Sequence, residues 1–228
     1  MGFYSRIYKI FAKPLRALYR VRTVGEENIP EGAAIVAANH LSFSDVLVIS
    51  SAAHRQVRYM AKAELFKTPL KPLLDALGAF PIERGRSDVG AIRKSIKLLR
   101  DGKLLGIFPQ GHRRGRKDPR LTEIKHGVGM IAFHSRADVI PVFIDNKGLK
   151  TRMFKVNTVI FGKPIKIEEL EFKGGGKEEY LRASRIVFRR ICELKYGPFE
   201  DWEGKYKGPF LVDIPHSSDL SEEEEISN

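Results

Sequence analysis

His40 and Asp45 stand five positions apart where a predicted strand leads into a predicted helix. The apolar run 33–38 before His40 is typical of a buried strand, and Asp45 falls in the first turn of the following helix. A turn of this kind can bring the Asp45 carboxylate to one imidazole nitrogen, which leaves the other nitrogen as a general base. Such a pair could deprotonate a hydroxyl without a protein nucleophile. The alternative is that Asp45 only caps the helix and that His40 is a satisfied polar residue.

Arginines follow two other predicted strands. Arg84 comes just past one of them, and Arg113 lies a few residues beyond the other, after Gly111. A glycine lets the backbone approach a ligand closely, and the arginines that follow it could clamp a phosphate through paired hydrogen bonds. We expect these residues and His40 at one edge of a sheet, because ligands in α/β folds bind beyond the carboxyl ends of the strands.

The elements that must position these residues alternate along the chain after residue 25. The pattern predicts strands over 33–38, 57–61, 79–82, 104–108, 139–144 and 156–161, and helical regions over 42–53, 65–77, 88–101, 127–136 and 178–194. Such alternation is typical of an α/β fold with a single, mostly parallel sheet that is flanked by helices.

The first 22 residues carry a two-faced helical pattern. Basic residues recur every three or four positions (Arg6, Lys9, Lys13, Arg16, Arg20), and apolar residues recur on another face (Tyr4, Ile7, Phe11, Leu15, Leu18). This arrangement predicts an amphipathic helix in a bilayer interface, which Pro14 should kink or split. The alternative is a helix that docks on the protein's own core and turns its basic face to solvent.

The composition indicates a folded protein with an anionic partner. The 228 residues include 40 Lys and Arg against 28 Asp and Glu, for a net charge of +12. That excess favours nucleic acid, a phosphorylated small molecule or an acidic membrane surface as the partner. Cys192 is the only cysteine, which excludes a disulfide scaffold, and its place on the apolar side of a predicted helix is typical of core.

No signal peptide and no apolar run of about 18 residues is evident in the sequence, so we expect a cytoplasmic protein. The patterns divide the chain into an amphipathic helical membrane attachment (1–24), a catalytic domain (25–212) and a tail (213–228). The tail contains six acids and no Lys or Arg, which predicts disorder.

Four ordered blocks resemble the glycerolipid acyltransferase superfamily, and most closely its bacterial lysophosphatidate (1-acyl-sn-glycerol-3-phosphate) acyltransferases. The blocks are Asn39-His40-x4-Asp45, Gly-x-Phe-x-Ile-x-Arg ending at Arg84, Phe108-Pro109-x-Gly111, and Val139-Ile140-Pro141-Val142. The resemblance covers roughly residues 1–165. It implies that His40 activates the hydroxyl of lysophosphatidate and that Asp45 orients His40. The alkoxide would attack the thioester of acyl-CoA or acyl-carrier protein directly, without an acyl-enzyme, a metal or another cofactor.

The resemblance also implies roles for the remaining site residues. Lys62, Arg84 and Arg113 would hold the acceptor phosphate, Gln110, Gly111 and His112 would form the acceptor pocket, and Ile140 and Pro141 would line the acyl-donor channel. Members of the family attach peripherally to the cytoplasmic face of the membrane through N-terminal helices, which implies the same location here, on an anionic membrane surface.

The third block departs from the family's usual Phe-Pro-Glu-Gly-Thr-Arg-Ser. Gln110, His112 and Arg114 replace Glu, Thr and Ser, which makes the site more positive. The departure leaves the acceptor open between lysophosphatidate, glycerol 3-phosphate and another lysophospholipid.

Two further function classes remain as alternatives. The basic run 113–117 could mark a nucleic-acid-binding module, but the only tryptophan, Trp202, lies far from it and no recognition motif is present. His40 and Asp45 could belong to a metal-dependent hydrolase, but the other histidines lack tight ligand spacing. We therefore expect neither a nucleic-acid partner nor a metal.

Overall fold

The computed structural model of the protein describes residues 12–69, 71–82 and 89–201. Its strands are β1 (Val21–Val24), β2 (Ala34–Ala38), β3 (Val57–Lys62), β4 (Phe80–Ile82), β5 (Leu104–Ile107), β6 (Val139–Asn146) and β7 (Asn157–Phe161). Its helices are α1 (12–18), α2 (Asp45–Ala52), α3 (Lys71–Ala76), α4 (Val89–Arg100), α5 (Gly127–Ser135) and α6 (Lys177–Tyr196). Within these residues, no helix has the length and apolarity to cross a membrane.

The seven described strands form one sheet in the order β1-β7-β6-β2-β5-β3-β4. β6, β2, β5, β3 and β4 all run parallel to one another. β7 is antiparallel to β6, and β1 is parallel to β7. The predicted fold class, α/β with a single, mostly parallel sheet flanked by helices, is confirmed.

Helices cover both faces of this sheet. Alternate residues of β2 point to opposite faces, where Ile35 and Ala37 join a core with α4, α5 and α6, and Val36 joins a core with α1 and α2. Burial on both sides explains why β2, β5 and β6 are continuous apolar runs rather than alternating ones.

The amino-terminal segment is only partly helical. α1 ends at residue 18, and Val21–Val24 forms an edge strand that pairs with β7. The segment 1–24, which the sequence assigned to a helical attachment, therefore contains a strand of the sheet at its carboxyl end.

The described turns of α1 dock on the body of the protein. Leu15 and Leu18 pack against the core beneath the sheet, whereas Lys13 and Arg16 are exposed. This part of the pattern therefore follows the docked alternative. Residues 1–11, which carry the rest of the pattern, lie outside the described residues, and so does the predicted tail 213–228.

The helical region expected over 65–77 is divided. A 3-10 turn covers Ala63–Lys67, and α3 begins at Lys71 after Pro69. Proline lacks the backbone N–H that a helix interior needs, which accounts for the break. The remaining predicted strands and helices match the observed ones to within a few residues.

Candidate active site

The candidate site lies at the carboxyl edge of the parallel strands. His40 follows β2, Lys62 ends β3, and Gly111, His112 and Arg113 follow β5. Because β5 pairs with both β2 and β3 in parallel, these three strand ends meet at the same edge. The expected meeting of His40, Gly111 and Arg113 at one edge is thus observed. Arg84 lies outside the described residues.

His40 and Asp45 form a hydrogen-bonded pair, with 2.8 Å between Nδ1 of His40 and Oδ2 of Asp45. Asp45 is fully buried at the start of α2. Its Oδ2 atom also accepts the backbone N–H groups of Leu41 at 2.6 Å and Ser42 at 2.8 Å. Its Oδ1 atom accepts the hydroxyl of Thr151 at 2.5 Å. These bonds satisfy a buried carboxylate that would otherwise be costly, and they fix its orientation.

The pair defines the tautomer of the neutral imidazole. A carboxylate can only accept hydrogen bonds, so Nδ1 of His40 carries the proton and Nε2 does not. Among the described residues, Nε2 has no hydrogen-bond partner, and His40 lines a cavity. The unprotonated nitrogen is therefore available to accept a proton from a ligand in that cavity.

Packing and backbone bonds hold the ring of His40 in place. It stacks on Phe108, with 3.9 Å between ring centroids and 14° between ring planes. The backbone N–H of His40 donates to Oε1 of Gln110 at 2.6 Å. The backbone carbonyl of His40 accepts the N–H of Arg114 at 2.8 Å. The segment after β5 (residues 108–126) therefore holds His40 through both its backbone N–H and its backbone carbonyl.

Gln110 has a different place from the one expected. It is fully buried and is not among the residues that line the cavity. Its Nε2 atom donates to the hydroxyl oxygen of Thr122 at 2.8 Å, and Thr122 donates to the carbonyl of Pro119 at 2.7 Å. Gln110 thus braces the backbone of His40 rather than forming the acceptor pocket.

The cavity beside His40 has a volume of about 650 Å³, in the range of small-molecule sites. Its polar part, which lies at or beyond the carboxyl ends of β2, β3 and β5, comprises His40, Lys62, Gly111, His112, Arg113 and Lys125. The rest of the wall is mainly apolar and comes from β3, β4, α3, α4 and α5, with Leu74, Ile82, Ile92 and Ile131 among its side chains. The arrangement suits a ligand with a charged head and a hydrocarbon tail.

Three cationic side chains, together with His112, line the polar part of the cavity. Arg113 is exposed, while Lys62 lies 3.1 Å from Glu64 and Lys125 lies 3.5 Å from Glu123. Backbone hydrogen bonding, followed by the hydrogen bond from Lys62, lowers the pKa of Glu64, so this carboxylate is ionised at neutral pH. Both lysines are exposed cations in surface ion pairs, which are weak. A phosphate that binds there could therefore replace Glu64 and Glu123 as their partners.

Lys125 is a cavity residue that sequence reasoning missed. Its backbone N–H donates to the carbonyl of Pro109 at 2.9 Å, which joins it to the segment after β5. The only signal in the sequence was its place just before the helix predicted over 127–136.

Ile140 and Pro141 are not among the residues that line this cavity. They are the second and third residues of β6, where both are buried and Ile140 belongs to the core on the α2 face. Burial in a central strand explains the apolar character that suggested an acyl-donor channel.

The described residues contain neither a cluster suited to a metal ion nor an accessible cysteine nucleophile. No group of three or more His, Cys, Asp or Glu side chains there could hold a metal ion. Cys192 is fully buried in the core of α6, and burial raises the pKa of its thiol well above the ordinary value. A buried thiol of this kind is a poor nucleophile, since the thiolate is the reactive form.

Comparisons with known proteins identify relatives that cover the site. Residues 20–145 match the family model described as Acyltransferase. The chain is 29% identical over 199 residues to the 1-acyl-sn-glycerol-3-phosphate acyltransferase of Bacillus subtilis (strain 168), a match that covers 83% of this chain and 97% of that protein. It is 28% identical over 152 residues to the protein of the same name from Borreliella burgdorferi, which covers 65% of this chain and 58% of that one.

A solved structure also resembles the chain. The crystal structure of the 1-acyl-sn-glycerophosphate (LPA) acyltransferase PlsC from Thermotoga maritima superposes with a TM-score of 0.63 at 26% identity. The match covers 85% of this chain and 80% of that one. The region 20–145, which the family model matches, contains His40, Asp45 and the whole segment after β5.

Proposed function

The chain belongs to the acyltransferase family, and we propose that it moves a fatty acyl group from an acyl thioester to the sn-2 hydroxyl of 1-acylglycerol 3-phosphate. The product is phosphatidic acid, an intermediate of phospholipid biosynthesis. One observation carries the proposal: His40, which is hydrogen-bonded to the buried Asp45, lines a cavity whose lining includes three cations and a mainly apolar wall. Lysophosphatidate has the same division into an anionic head and a hydrocarbon chain. The names of the relatives from Bacillus subtilis and Thermotoga maritima support the choice of acceptor.

The reaction follows from the geometry of the pair. Nε2 of His40 takes the proton of the acceptor hydroxyl while its oxygen attacks the thioester carbonyl carbon. Asp45 stabilises the imidazolium that forms, in the way that the aspartate of a catalytic triad does. The tetrahedral intermediate then collapses, the carbon–sulfur bond breaks, and the thiolate takes the proton back from His40. Neither an acyl-enzyme nor a cofactor is needed.

The cations of the polar part bind the acceptor phosphate in this proposal. Lys62 and Arg113 line the cavity beside His40, and Lys125 joins them. Arg84 belongs with them by its place in the block Gly-x-Phe-x-Ile-x-Arg, although the structure does not describe it. Gly111 and His112 shape the acceptor end of the cavity, and the apolar wall holds an acyl chain.

The acyl donor and the location are part of the same proposal. The donor is acyl-CoA or acyl-carrier protein, since both present a thioester on a pantetheine arm. The protein works peripherally on the cytoplasmic face of an anionic membrane, where its lipid acceptor resides. Residues 1–11 extend the basic and apolar pattern beyond α1 and contribute to that attachment.

The test is release of free thiol from acyl-CoA or acyl-carrier protein, with phosphatidic acid identified after lipid extraction. His40→Ala should lower turnover by about 100-fold or more, since general base catalysis contributes on the order of 10²–10⁴. The matched control is His134→Ala, because His134 is exposed near the end of α5 and away from the cavity. It should keep parental activity.

Two results would contradict the proposal. Absence of thiol release with both donors, from folded protein on anionic vesicles, would exclude acyl transfer. Activity that survives in His40→Ala would exclude the base assignment. Glycerol 3-phosphate and lysophosphatidylcholine are tested as alternative acceptors, because the segment after β5 departs from the family's usual third block.

A further inference from the structure

The loop 147–155, between β6 and β7, exposes two large apolar side chains among cations. Phe154 is 69% exposed and Met153 is 51% exposed. The exposed basic residues around them are Lys147, Lys150, Arg152 and Lys155, and the loop contains no acidic residue. Neither Met153 nor Phe154 lines the cavity. The mechanism proposed above therefore leaves this surface without a function.

Hydrogen bonds to the rest of the protein hold the backbone of the loop in this conformation. The backbone N–H of Phe154 donates to the carbonyl of Leu18 at 2.8 Å. The fully buried amide of Asn157 donates to the carbonyls of Arg152 at 3.0 Å and Lys155 at 2.9 Å. Phe154 has φ 60°, a left-handed conformation that phenylalanine rarely adopts. The backbone thus presents the aromatic ring to solvent at an energetic cost, as is common at functional sites.

The same loop reaches the catalytic pair. Thr151 is buried, and its hydroxyl donates to Asp45 at 2.5 Å, three residues before the exposed ring of Phe154. The carbonyl of Leu149 accepts the backbone N–H of Arg116, in the basic segment after β5. Phe43, two residues before Asp45, is 45% exposed and lines the cavity. Exposed apolar side chains therefore lie within three residues of both ends of the Thr151–Asp45 bond in the chain.

We infer that Met153 and Phe154 insert into the interface of an anionic bilayer while the lysines and arginines of the loop bind its headgroups. Aromatic and long apolar side chains next to cations are the composition of elements that lie in a bilayer interface. Each Lys or Arg near an anionic surface adds to the attraction. The exposed Lys13 and Arg16 of α1 extend the cationic surface, because α1 ends at the carbonyl that accepts Phe154. The loop thus brings the acceptor end of the site to the lipid.

This inference deepens the proposed function, since it names the surface that meets the lipid substrate, and it rests on that function for the nature of the acceptor. An acidic protein such as acyl-carrier protein is the competing partner. A bilayer fits better because Met153 and Phe154 are adjacent apolar side chains on an exposed loop and do not line the cavity. Such side chains can insert among lipids, whereas a helix of a partner protein would need an apolar groove.

The experiment measures binding of the full chain to vesicles of phosphatidylglycerol and phosphatidylcholine, without turnover. The double variant Met153→Ser/Phe154→Asn removes the apolar side chains, and asparagine tolerates the positive φ at 154. We expect at least a tenfold loss of vesicle affinity, and a similar loss for Lys150→Glu/Arg152→Glu. Pure phosphatidylcholine vesicles should bind the parent weakly.

Matched controls lie elsewhere on the sheet. Val24, 54% exposed, ends β1, which runs away from the edge that holds His40, and Lys103 is exposed before β5 at the opposite edge. Val24→Ser and Lys103→Glu should bind vesicles as the parent does. Unchanged vesicle affinity of the two loop variants would overturn the inference, and so would a selective loss of acyl-carrier protein binding. Loss of vesicle binding in a protein that transfers no acyl group would leave the inference standing while the proposed function failed.

Discussion

At the residue scale, the side-chain amide of Gln110 does what a carboxylate could not. Its Oε1 atom accepts the backbone N–H of His40, while its Nε2 atom donates to Thr122. The hydroxyl proton of Thr122 already goes to the carbonyl of Pro119, so the oxygen of Thr122 must accept at this contact. A glutamate at position 110 would place a carboxylate oxygen, which can only accept, against the hydroxyl oxygen of Thr122, which also accepts there. It would also bury a charge.

The substitution Gln110→Glu should therefore destabilise the protein by about 1–3 kcal/mol, the cost of an unsatisfied buried polar group. Because the change loosens the backbone of His40, kcat should fall more than the KM for the acceptor rises. Denaturant unfolding and steady-state kinetics measure the two effects. Glu31→Gln is the isosteric control at an exposed position before β2, and it should change neither. A Gln110→Glu protein as stable and as active as the parent would show that the amide is dispensable.

The sequence predicted the local contact of this site and missed the distant ones. His40 and Asp45 share one strand-to-helix turn, so their spacing allowed the hydrogen bond to be proposed, with a helix cap as the alternative. Gln110 and Thr151 touch the pair from 70 and 106 residues away, and only the folded sheet brings them there. The family resemblance assigned Gln110 to the acceptor pocket from its position in the third block. A position in a sequence block does not say in which direction the side chain points.

At the element scale, α5 links the cavity to the rest of the protein through its contact with α6. One side of α5 lines the cavity with Val128 and Ile131. Gly129, on another side, lies so close to α6 that an added Cβ would stand 2.1 Å from the carbonyl oxygen of Tyr180. Its N–H donates to the hydroxyl of Ser184 in α6 at 2.9 Å. The glycine therefore sets the distance between the two helices.

Gly129→Ala should push α5 away from α6 and destabilise the protein by about 1–3 kcal/mol, the usual cost of overpacking. The control is Gly127→Ala in the same helix, where an added Cβ meets no atom within 4 Å. That change should be neutral or stabilising by up to about 1 kcal/mol, because alanine favours the helix. Thermal unfolding of the two variants distinguishes them. Equal unfolding temperatures would mean that the helices separate without cost.

Element prediction failed where pairing partners are far apart in the chain. Most strands and helices were predicted from their periodicity, and the alternation predicted the parallel sheet. β1 was missed because its four residues directly follow Arg20, the last basic residue of the helical pattern, and were assigned to the same amino-terminal segment. Its partner β7 lies more than a hundred residues later, so no local signal marks it as a strand.

At the scale of the whole molecule, several segments with exposed cations meet near the edge of the sheet that holds His40. The basic segment after β5, the loop 147–155 and α1 all carry exposed cations near that edge. The predicted tail 213–228 carries the opposite charge. The exposed cations of these three segments would attract an anionic surface to this edge.

Two truncations separate attachment from folding. Deletion of residues 1–11 should lower vesicle binding, because these residues carry part of the basic and apolar pattern. It should leave the unfolding temperature unchanged, because it removes none of the described core. Deletion of residues 1–22 also removes Tyr19 and Val21, which are buried, and half of the edge strand β1. It should lower the unfolding temperature by several degrees. Vesicle cosedimentation and calorimetry make the comparison, and full binding by the shorter truncation would exclude residues 1–11 from attachment.

The bond between Thr151 and Asp45 has a consequence for the order in which a ribosome delivers this enzyme. The motif His40-x4-Asp45 is synthesised early, but the hydroxyl that fixes its carboxylate belongs to the loop before β7. Gln110, which fixes the backbone of His40, also emerges long after the motif. A nascent chain therefore carries its reactive residues well before it has their geometry. The growing polypeptide therefore lacks the ordered His40–Asp45 geometry until the loop before β7 has left the exit tunnel.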